Sequence, residues 1–593
     1  MVSNKSHKRS LKTQAFLNLA ILITAITVIN LLASQYYTRL DLTKEKRFSL
    51  SSTTKNTIKN LQDKIIFKVY LDGNLSSKFK QLQSNLRDML AEFANISNGK
   101  VEYTFANPLA GKDLKEQEDI IVQLEKKGLI PYYEEQESEN QAQINRLFPG
   151  AEVIDNNGNE YVVNFLTTEM ARAEENAINS SIENLEYEIA NIIRKVAAKG
   201  KNKKIGFLQG HGELTEPYTF DIRKELSTFY TVENINLNLT TKETLSQIAS
   251  KIEMDSFDEK NIFTSMLQHL NTFKGLIMAK PTQPFSKAEI FLLDQYIMNG
   301  GKVLFLVDPV FTEYDSIAKY EKMLSFPYDL GELSNMLYIY GVRLDNNLLM
   351  EARCHDIVMR TKNGVLKNHP WVYYPAFTDN GLNPISKNIE VILGRFVSTI
   401  KPIPRDNQIQ TPILLSSDKC KTVNSPSMVE LALISQNNNP AFLRTLNKGK
   451  QICGILNTGR FQSVFKGRNT NEYTGIKAIN QIENNALIVI SDGDIIKNSI
   501  KSMSDGYFPL GLDLATGKTF GNKKFMLNCI DYLCDDEGLI EVRNKEFQLR
   551  LLDKNKVSSS KRKWQLITVL LPIILVILLG FVNHFIRIKK YKI

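Results

Sequence analysis

The chain has 593 residues, a formal net charge of +10 and a pI near 9.0. A basic pI can indicate nucleic-acid binding, but here the excess lysine and arginine lies beside two apolar stretches at the chain ends. The long middle of the chain is close to neutral. Contacts with lipid headgroups therefore explain the charge better, and we expect no nucleic-acid partner.

Two uncharged apolar stretches are the most informative features of the sequence. The first has its apolar centre at Ala15–Ala33, and the second extends from Trp564 to Ile586. A helix needs about 20 apolar residues to cross a bilayer core of about 30 Å, and both stretches meet that length. We predict transmembrane helices at 15–37 and 564–586, with terminal tails at 1–14 and 587–593.

Basic residues in both tails predict the orientation of the chain. Each tail carries four lysines or arginines, which the positive-inside rule places in the cytoplasm. The body would then be external, and periplasmic at the inner membrane of a cell with two membranes. The basic run Lys561–Lys563 opposes this only mildly, because large domains translocate largely regardless of charge. A cleaved signal peptide ending near Ala33 is the alternative to an uncleaved first span.

The five cysteines are scattered and odd in number. They are Cys354, Cys420, Cys453, Cys529 and Cys534. They form no CxxC pair and no cluster with histidine at zinc spacing, so we predict neither a disulfide framework nor a metal site. No cofactor is predicted.

Residues 63–200, after a juxtamembrane segment at 38–62, alternate strand and helix patterns. The predicted elements are a strand at Ile65–Leu71, a helix at Phe79–Ile96, a strand at Val101–Phe105, a helix at Leu114–Lys127, a hairpin around Asp155–Asn159 and a helix at Ser180–Ala198. This order is typical of a thioredoxin-like α/β domain. Residues 1–353 contain no cysteine, so the domain lacks the redox pair and would serve binding or assembly.

Residues 201–310 predict a doubly wound parallel sheet of amidotransferase-like or flavodoxin-like type. Buried-type strands alternate with helices, and His211, Glu213 and Asp308 follow directly after two of these strands. Ligands of such sheets bind beyond the carboxyl ends of the strands. Amidotransferase chemistry needs a cysteine on a strand-to-helix turn, and this region has none.

Residues 311–550 are predicted to continue the α/β body with a loop-rich insertion at 363–412. Strands are predicted at Ile413–Ser416, Cys453–Asn457 and Ala486–Ile490, and a helix at Phe525–Leu533. Asp492 and Asp494 follow the strand Ala486–Ile490 directly. A polar linker at 551–563 returns the chain to the membrane. The pairing of the strands after residue 310 is left open.

Three motifs resemble catalytic ones and lack part of the pattern. Gly511–Thr519 resembles a phosphate-binding P-loop but has five residues between its glycines, where that loop has four. Asp492-Gly493-Asp494 resembles the nucleophile loop of haloacid-dehalogenase phosphatases without enough chain after it. His211 and Glu213 have no partner nucleophile, and His355 and His369 are isolated and predicted to be structural. We predict no catalytic residue, and we predict a ligand-binding or partner-binding site at His211, Glu213, Asp308, Asp492 and Asp494.

Eight blocks of sequence, in this order between the two apolar stretches, resemble a known family. They are Leu42–Lys55, Val69–Gln83, Ser181–Lys195, Phe207–Glu216, Lys280–Val310, Tyr340–Leu349, Val489–Asn498 and Gly521–Leu533. The chain resembles the GldG family, the gliding motility-associated substrate-binding or auxiliary subunits of an ABC-type transporter in Bacteroidetes. The resemblance implies a separate ABC ATPase and a separate permease as partners, with gliding or secretion machinery proteins beyond them. It implies no catalytic residues.

The sequence therefore predicts a non-enzymatic, membrane-embedded transporter subunit with an external α/β body. Two other classes of function stay open. One is a tethered hydrolase that uses His211 or Asp492. The other is an envelope scaffold that bridges motility or secretion components and binds no transported substrate.

Overall fold

The structure is a computed structural model. It describes residues 16–28, 50–138, 141–166, 174–198, 203–239, 259–360, 364–378, 381, 383–389, 391–436, 439–468, 470, 478–502, 506–514, 516–535, 538–544 and 561–591. The chain divides into two compact units, residues 1–545 and residues 546–593. The predicted tail at 1–14, residues 38–49 of the juxtamembrane segment and the linker residues 551–560 lie outside the described residues.

Helices and strands alternate along most of the first unit. The α-helices are α1 Phe16–Val28, α2 Ser52–Lys59, α3 Ser77–Ile96, α4 Leu114–Lys127, α5 Glu174–Ala198, α6 Phe220–Ser227, α7 Glu259–Leu270, α8 Lys287–Met298, α9 Tyr314–Tyr320, α10 Glu332–Ile339, α11 Pro440–Thr445, α12 Asn522–Cys534 and α13 Lys561–Tyr591. The strands are β1 Ile65–Val69, β2 Val101–Phe105, β3 Tyr132–Ser138, β4 Gln141–Leu147, β5 Gly150–Ile154, β6 Glu160–Asn164, β7 Lys204–Gln209, β8 Thr231–Asn236, β9 Phe273–Ala279, β10 Lys302–Leu306, β11 Val310–Phe311, β12 Lys322–Pro327, β13 Val342–Leu344, β14 Asn347–Glu351, β15 Cys354–Arg360, β16 Leu366–Phe377, β17 Ile392–Leu393, β18 Ile400–Pro402, β19 Gln408–Leu415, β20 Cys420–Asn424, β21 Ser427–Glu430, β22 Ile452–Gln462, β23 Gln481–Ile490, β24 Ile500–Ser502 and β25 Gly506–Tyr507.

Of the described helices, one is long and apolar enough to cross a membrane. It is the segment Lys563–Ile586 of α13, which has 24 residues, and every side chain described in it is exposed. The N-terminal helix α1 is apolar but shorter over its described residues. The prediction of a span at 564–586 therefore agrees with the structure. For the predicted span at 15–37, the structure describes only residues 16–28.

The N-terminal sheet has the strand order β2-β1-β5-β6. Strand β1 pairs parallel with β2 and antiparallel with β5, and β5 and β6 form the predicted hairpin. Asp155 in the hairpin turn accepts hydrogen bonds from the N–H groups of Asn157 and Asn159, both 2.9 Å. A second hairpin, β3–β4, stands as a separate two-stranded sheet that the sequence did not predict. The assignment of this region as thioredoxin-like stays a prediction.

The main sheet has nine strands, and five of them are parallel. The order of the parallel strands is β8-β7-β9-β10-β23. Strand β23 then pairs antiparallel with β22, and β22 also pairs with β18 and β19. Strand β18 pairs in turn with the edge strand β13. Counted along the chain, the parallel part reads 2-1-3-4-5, the order of flavodoxin-like doubly wound sheets. Strand β23 lies more than 170 residues beyond β10 in the sequence.

Alternate side chains of the parallel strands enter two different hydrophobic cores. Ile277 and Leu304 belong to one core, which also holds the buried faces of α6 and α12. Leu276 and Val303 belong to the other core, with side chains of α7, α8 and α10. Because both faces of the sheet are covered, its strands are nearly continuous runs of buried apolar residues.

The chain between β10 and β22 forms three small antiparallel sheets. Their orders are β11-β12-β21, β14-β20 and β15-β16-β17. They surround a third core that contains the fully buried Trp371. The strands and the helix that the sequence predicted at 413–416, 453–457, 486–490 and 525–533 are confirmed, and each is longer than predicted.

We expect Leu304→Ala to destabilise the body by about 2–5 kcal/mol, because it removes a fully buried side chain from the core on one face of the main sheet. Ile409→Ala, at a side chain in β19 that is 69% exposed, is the matched control and should change stability by less than about 0.5 kcal/mol. Urea unfolding of the full-length protein in detergent, followed by Trp371 fluorescence in a Trp564→Phe background, measures both. Equal effects of the two changes would contradict the assigned core.

Candidate functional site

Four parallel strands of the main sheet end at one edge. They are β7, β9, β10 and β23, which end at Gln209, Ala279, Leu306 and Ile490. All five residues that the sequence predicted as candidate binding residues follow within a few positions of these ends. The structure divides them into two groups, one around Lys280 and one around His211.

Lys280 is the centre of the first group. Its Nζ lies 3.1 Å from Oδ2 of Asp308 and forms a short hydrogen bond with Oδ2 of Asp494. These three residues follow three different strands, so the ammonium group joins the ends of β9, β10 and β23. Lys280 has a φ of 58°, a left-handed conformation uncommon for residues other than glycine. Its ion pairs and its hydrogen bond to the Leu306 carbonyl hold it there.

Backbone groups complete the first group. Fully buried Asp492 accepts hydrogen bonds of 2.9 Å from the N–H groups of Asp494 and Arg395. The Gly493 N–H donates to Asp308 Oδ1. A Cβ at Gly493 would lie 2.6 Å from the Cβ of Lys280, so only glycine allows this close approach.

The electrostatic balance of the first group is internal. Burial raises the pKa of Asp308, and it raises the pKa of Asp492 well above its usual value, with the neighbouring aspartates adding to the effect at Asp492. Burial acts in the same direction on Asp494, but the ammonium groups of Lys280 and Lys497 outweigh it and hold that pKa below its usual value. The three aspartates together therefore carry less negative charge than three exposed aspartates would. The positive charge of Lys280 compensates the negative charge that they carry.

His211 is the centre of the second group. It stacks on the ring of Phe285 with 3.7 Å between ring centroids. Its Nε2 lies 3.1 Å from Glu289 Oε2 without the alignment of a hydrogen bond, and its Nδ1 lies 3.8 Å from Glu213 Oε1. All three polar residues are at least nine-tenths buried.

The pKa values of the two glutamates in the second group are shifted in opposite directions. Glu289 caps α8 by accepting from the Ser286 N–H at 2.7 Å, and it also accepts from the Leu239 N–H at 2.7 Å. Burial opposes its charge, but His211 and these N–H groups outweigh burial and lower the pKa of Glu289 to about 2. Burial raises the pKa of Glu213, although it accepts from the His211 N–H at 2.7 Å.

The crevice between β7 and β9, where the strand order reverses, is closed by hydrogen bonds. The N–H groups of Thr282 and Gln283 donate to the carbonyl of His211, at 2.8 and 2.9 Å, and Leu214 donates to the carbonyl of Ala279. Ligands of flavodoxin-like sheets bind at this reversal point. Here the loops after the two strands fill it themselves. Over the described residues, no group of three His, Cys, Asp or Glu side chains is arranged to hold a metal ion.

The P-loop-like segment folds as a closed turn. The N–H groups of Gly517 and Phe520 donate to carbonyls within the turn, and Thr516 donates to the carboxylate of Asp513. A phosphate cradle needs free N–H groups and no carboxylate at its centre. His355 was described from the sequence as isolated, but its Nε2 lies 3.0 Å from Asp513 Oδ2, which corrects that interpretation. A structural role for His355 stays a prediction.

Three residues of the site were missed from the sequence. Lys280 stands before a proline at a strand end, and this position alone does not name an ion-pair partner. Glu289 was visible in principle, because Ser286-x-x-Glu289 before an apolar run is a capping box. Arg395 comes from the loop before β18 and has no local signal.

The main sheet and its edge coincide with a family match. A family model described as an ABC-type uncharacterized transport system matches residues 202–529, more than half of the chain. A second model, described as a domain of unknown function, matches residues 44–154. The chain belongs to the first family, the auxiliary components of an ABC-type transport system. It is therefore associated with an ABC transporter.

Two further comparisons extend this result. A protein of Borreliella burgdorferi, named only as an uncharacterized protein, is 22% identical over 587 residues, which are 96% of this chain and 97% of the relative. A solved structure titled "mmIFT52 N-terminal domain" is 14% identical, with 56% of this chain and 98% of that chain covered at a TM-score of 0.29. At that score the likeness carries no argument about the fold.

We expect Lys280→Met to destabilise the protein by about 3–5 kcal/mol at pH 7, because it leaves Asp308 buried without its counter-charge and leaves Asp494 with the more distant Lys497 ammonium, at 3.8 Å. Lys401→Met is the matched control. Its ammonium is also 3.1 Å from a carboxylate, that of Asp345, but is 57% exposed, so the loss should stay below about 1 kcal/mol.

The deficit of Lys280→Met should stay constant from pH 7 to about pH 4 and shrink as the pH falls further towards 2. Lys280 depresses the pKa of Asp494, so its contribution is present above the unfolded carboxyl pKa and is lost as pH falls through the lower folded value. Urea unfolding across this pH range measures the difference. A deficit that stays constant over the whole range would contradict the ion-pair assignment.

We expect Glu289→Gln to cost about 3 kcal/mol at pH 7, the equivalent of lowering a carboxyl pKa from 4.5 to about 2. The folded pKa is depressed, so the wild-type advantage should be complete above pH 4.5 and vanish as pH approaches 2. Glu116→Gln, at the same helix position in α4 but 54% exposed, is the control and should have little effect at any pH. Equal pH profiles for the two variants would contradict the buried cap.

Proposed function

We propose that this chain is a non-catalytic binding and assembly subunit of an ABC-type transporter complex, working beside a separate ATPase and a separate permease. The observation that carries the proposal is the family match over residues 202–529, which spans the whole parallel sheet and the ends of its strands. Transport-associated auxiliary subunits need a partner surface and a membrane attachment. They need no catalytic constellation of their own.

The membrane attachment is the second part of the proposal. Helix α13 supplies one span by length and composition, and the apolar stretch Ala15–Ala33 supplies a second one by sequence. The chain would then cross the inner membrane twice, with its body in the periplasm and its basic tails in the cytoplasm. Both placements rest on charge and hydrophobicity.

The division of labour with a separate ATPase is supported by the turn at Gly511–Thr519. The turn bonds its N–H groups internally and holds the Asp513 carboxylate where a nucleotide phosphate would need to approach. Energy for transport would therefore come from a partner. A role in gliding motility, with gliding or secretion machinery proteins as further partners, is the narrower proposal and rests on the GldG resemblance.

An envelope scaffold without a transported substrate is the second candidate. The closed strand ends favour it, because His211, Glu213, Asp308, Asp492 and Asp494 are engaged with one another, with Lys280 and Glu289, and with backbone groups. In this reading the outer faces of the body hold partners, and the strand ends only stabilise the sheet.

Purification of the tagged full-length chain in a mild detergent, with mass spectrometry of the co-purifying proteins, tests the proposal. We expect an ABC-type ATPase and a multi-span permease in comparable amounts. The control variant Lys401→Met, whose loss of stability should stay below about 1 kcal/mol, should recover both subunits. Recovery of envelope proteins without either subunit would support the scaffold instead.

A further inference from the structure

The two connections from the body to the apolar ends of the chain leave it at one place. Near the N-terminal end of the body, helix α2 begins two residues after Leu50, the first described residue there. At the C-terminal end, the 3₁₀ helix Leu539–Asn544 is the last described element of the body. Both pack against α5 and against each other. Residues almost 500 positions apart in the chain are thus neighbours.

Polar contacts fix the first connection to α5. The N–H of Ser51 donates to Glu186 Oε1 of α5 at 2.7 Å, and the Ser51 side chain caps α2. Below them, the side chains of Leu50 and Ile58 are buried in the same core as Tyr187 of α5. The chain therefore enters the body through a well-anchored helix.

A buried arginine fixes the second connection. Arg543 is 2% exposed, donates to the carbonyl of Lys387 and lies over the ring of Tyr187 with 5.3 Å between its Cζ and the ring centroid. The Ile540 N–H donates to Asp535 Oδ2 at 2.9 Å. Asp535 is also paired with Arg194 of α5 at 3.2 Å, and Lys195 is 2.9 Å from Asp531 of α12.

The outward face of α2 is basic. Its sequence, STTKNTIK, contains Lys55 and Lys59 and no acidic residue; Lys59 is exposed and Lys55 is half-buried. Within the described residues neither lysine forms an ion pair, whereas Lys64, just beyond the helix, is paired with Glu102. Glu186 of α5, which accepts from the Ser51 N–H, is 3% exposed.

The sequences that lead away from this place are basic as well. Before the body they contain Arg39, Lys44, Lys46 and Arg47 against Asp41 and Glu45. After it they contain Lys545, Arg550, Lys554, Lys556 and Lys561–Lys563 against Glu546 and Asp553. Clusters of lysine and arginine next to an apolar span attract anionic headgroups, each residue adding to the binding.

We propose that the outward side of α2, with exposed Lys59 and half-buried Lys55 beside the two chain connections, is the surface of the body that docks on anionic lipid headgroups. The proposal rests on the membrane attachment in the proposed function. It adds the lipid class and the residues that bind it. A protein partner on this face is the competing outcome.

The test places a fluorophore on α2 in the full-length protein, reconstituted in phosphatidylcholine vesicles with or without about 30% phosphatidylglycerol. The label is attached to Asn56→Cys in a Cys354→Ser background, because the other four cysteines are buried. A nitroxide lipid with its spin label at the headgroup is the quencher. A label at Asp119→Cys on the exposed face of α4 is the reference position.

We expect stronger quenching at position 56 than at position 119, and more of it when phosphatidylglycerol is present. Lys55→Glu/Lys59→Glu should lower quenching at position 56 by about twofold, as should high salt. The matched charge reversal Lys115→Glu/Lys126→Glu on α4 should not change it. Equal quenching at the two positions, or equal effects of the two reversals, would overturn the proposal in favour of a protein on this face. Co-purification of the ATPase and permease is measured separately, so the two proposals can fail independently.

Discussion

The ion pairs of Lys280 hold together the ends of three parallel strands on which the body is built. Strand β23 is separated from β10 by more than 170 residues, so its place in the sheet closes a very long loop. The alternation of apolar side chains fixes its register against β10, and the hydrogen bond from Gly493 to Asp308 fixes its end. Lys280 then adds β9 to the same network. The insertion between β10 and β22 is anchored here too, through Arg395.

Helix α5 joins elements that lie near the two ends of the body's sequence. It packs against α2, α3 and the 3₁₀ helix Leu539–Asn544, and its ion pairs reach α12. Helix α12 in turn covers β9, β10 and β23 of the main sheet. The two chain connections and the main sheet are therefore joined through buried, paired side chains.

The polar residues at the strand ends are of types that suggest catalytic or metal-binding chemistry in the sequence, but in the structure they make contacts within the protein. His211, Glu213 and Asp492 have the residue types of catalytic or metal sites. In the folded chain His211 lies between Phe285 and Glu289, and Glu213 accepts from the His211 N–H. Asp492 accepts from two backbone N–H groups.

Local patterns in the sequence determined the apolar helix α13, most helices and buried strands of the body, and the clustering of the candidate residues at strand ends. These features depend on side-chain periodicity and on the polar residues that terminate buried strands, which are encoded within short stretches. Only the tertiary structure decided that β23 lies beside β10, that Lys280 joins Asp308 and Asp494, and that α2 meets Leu539–Asn544 on α5. Several buried strands of this chain are equally apolar, so no local pattern specifies which of them pair. The partner of a buried charge is chosen by that pairing.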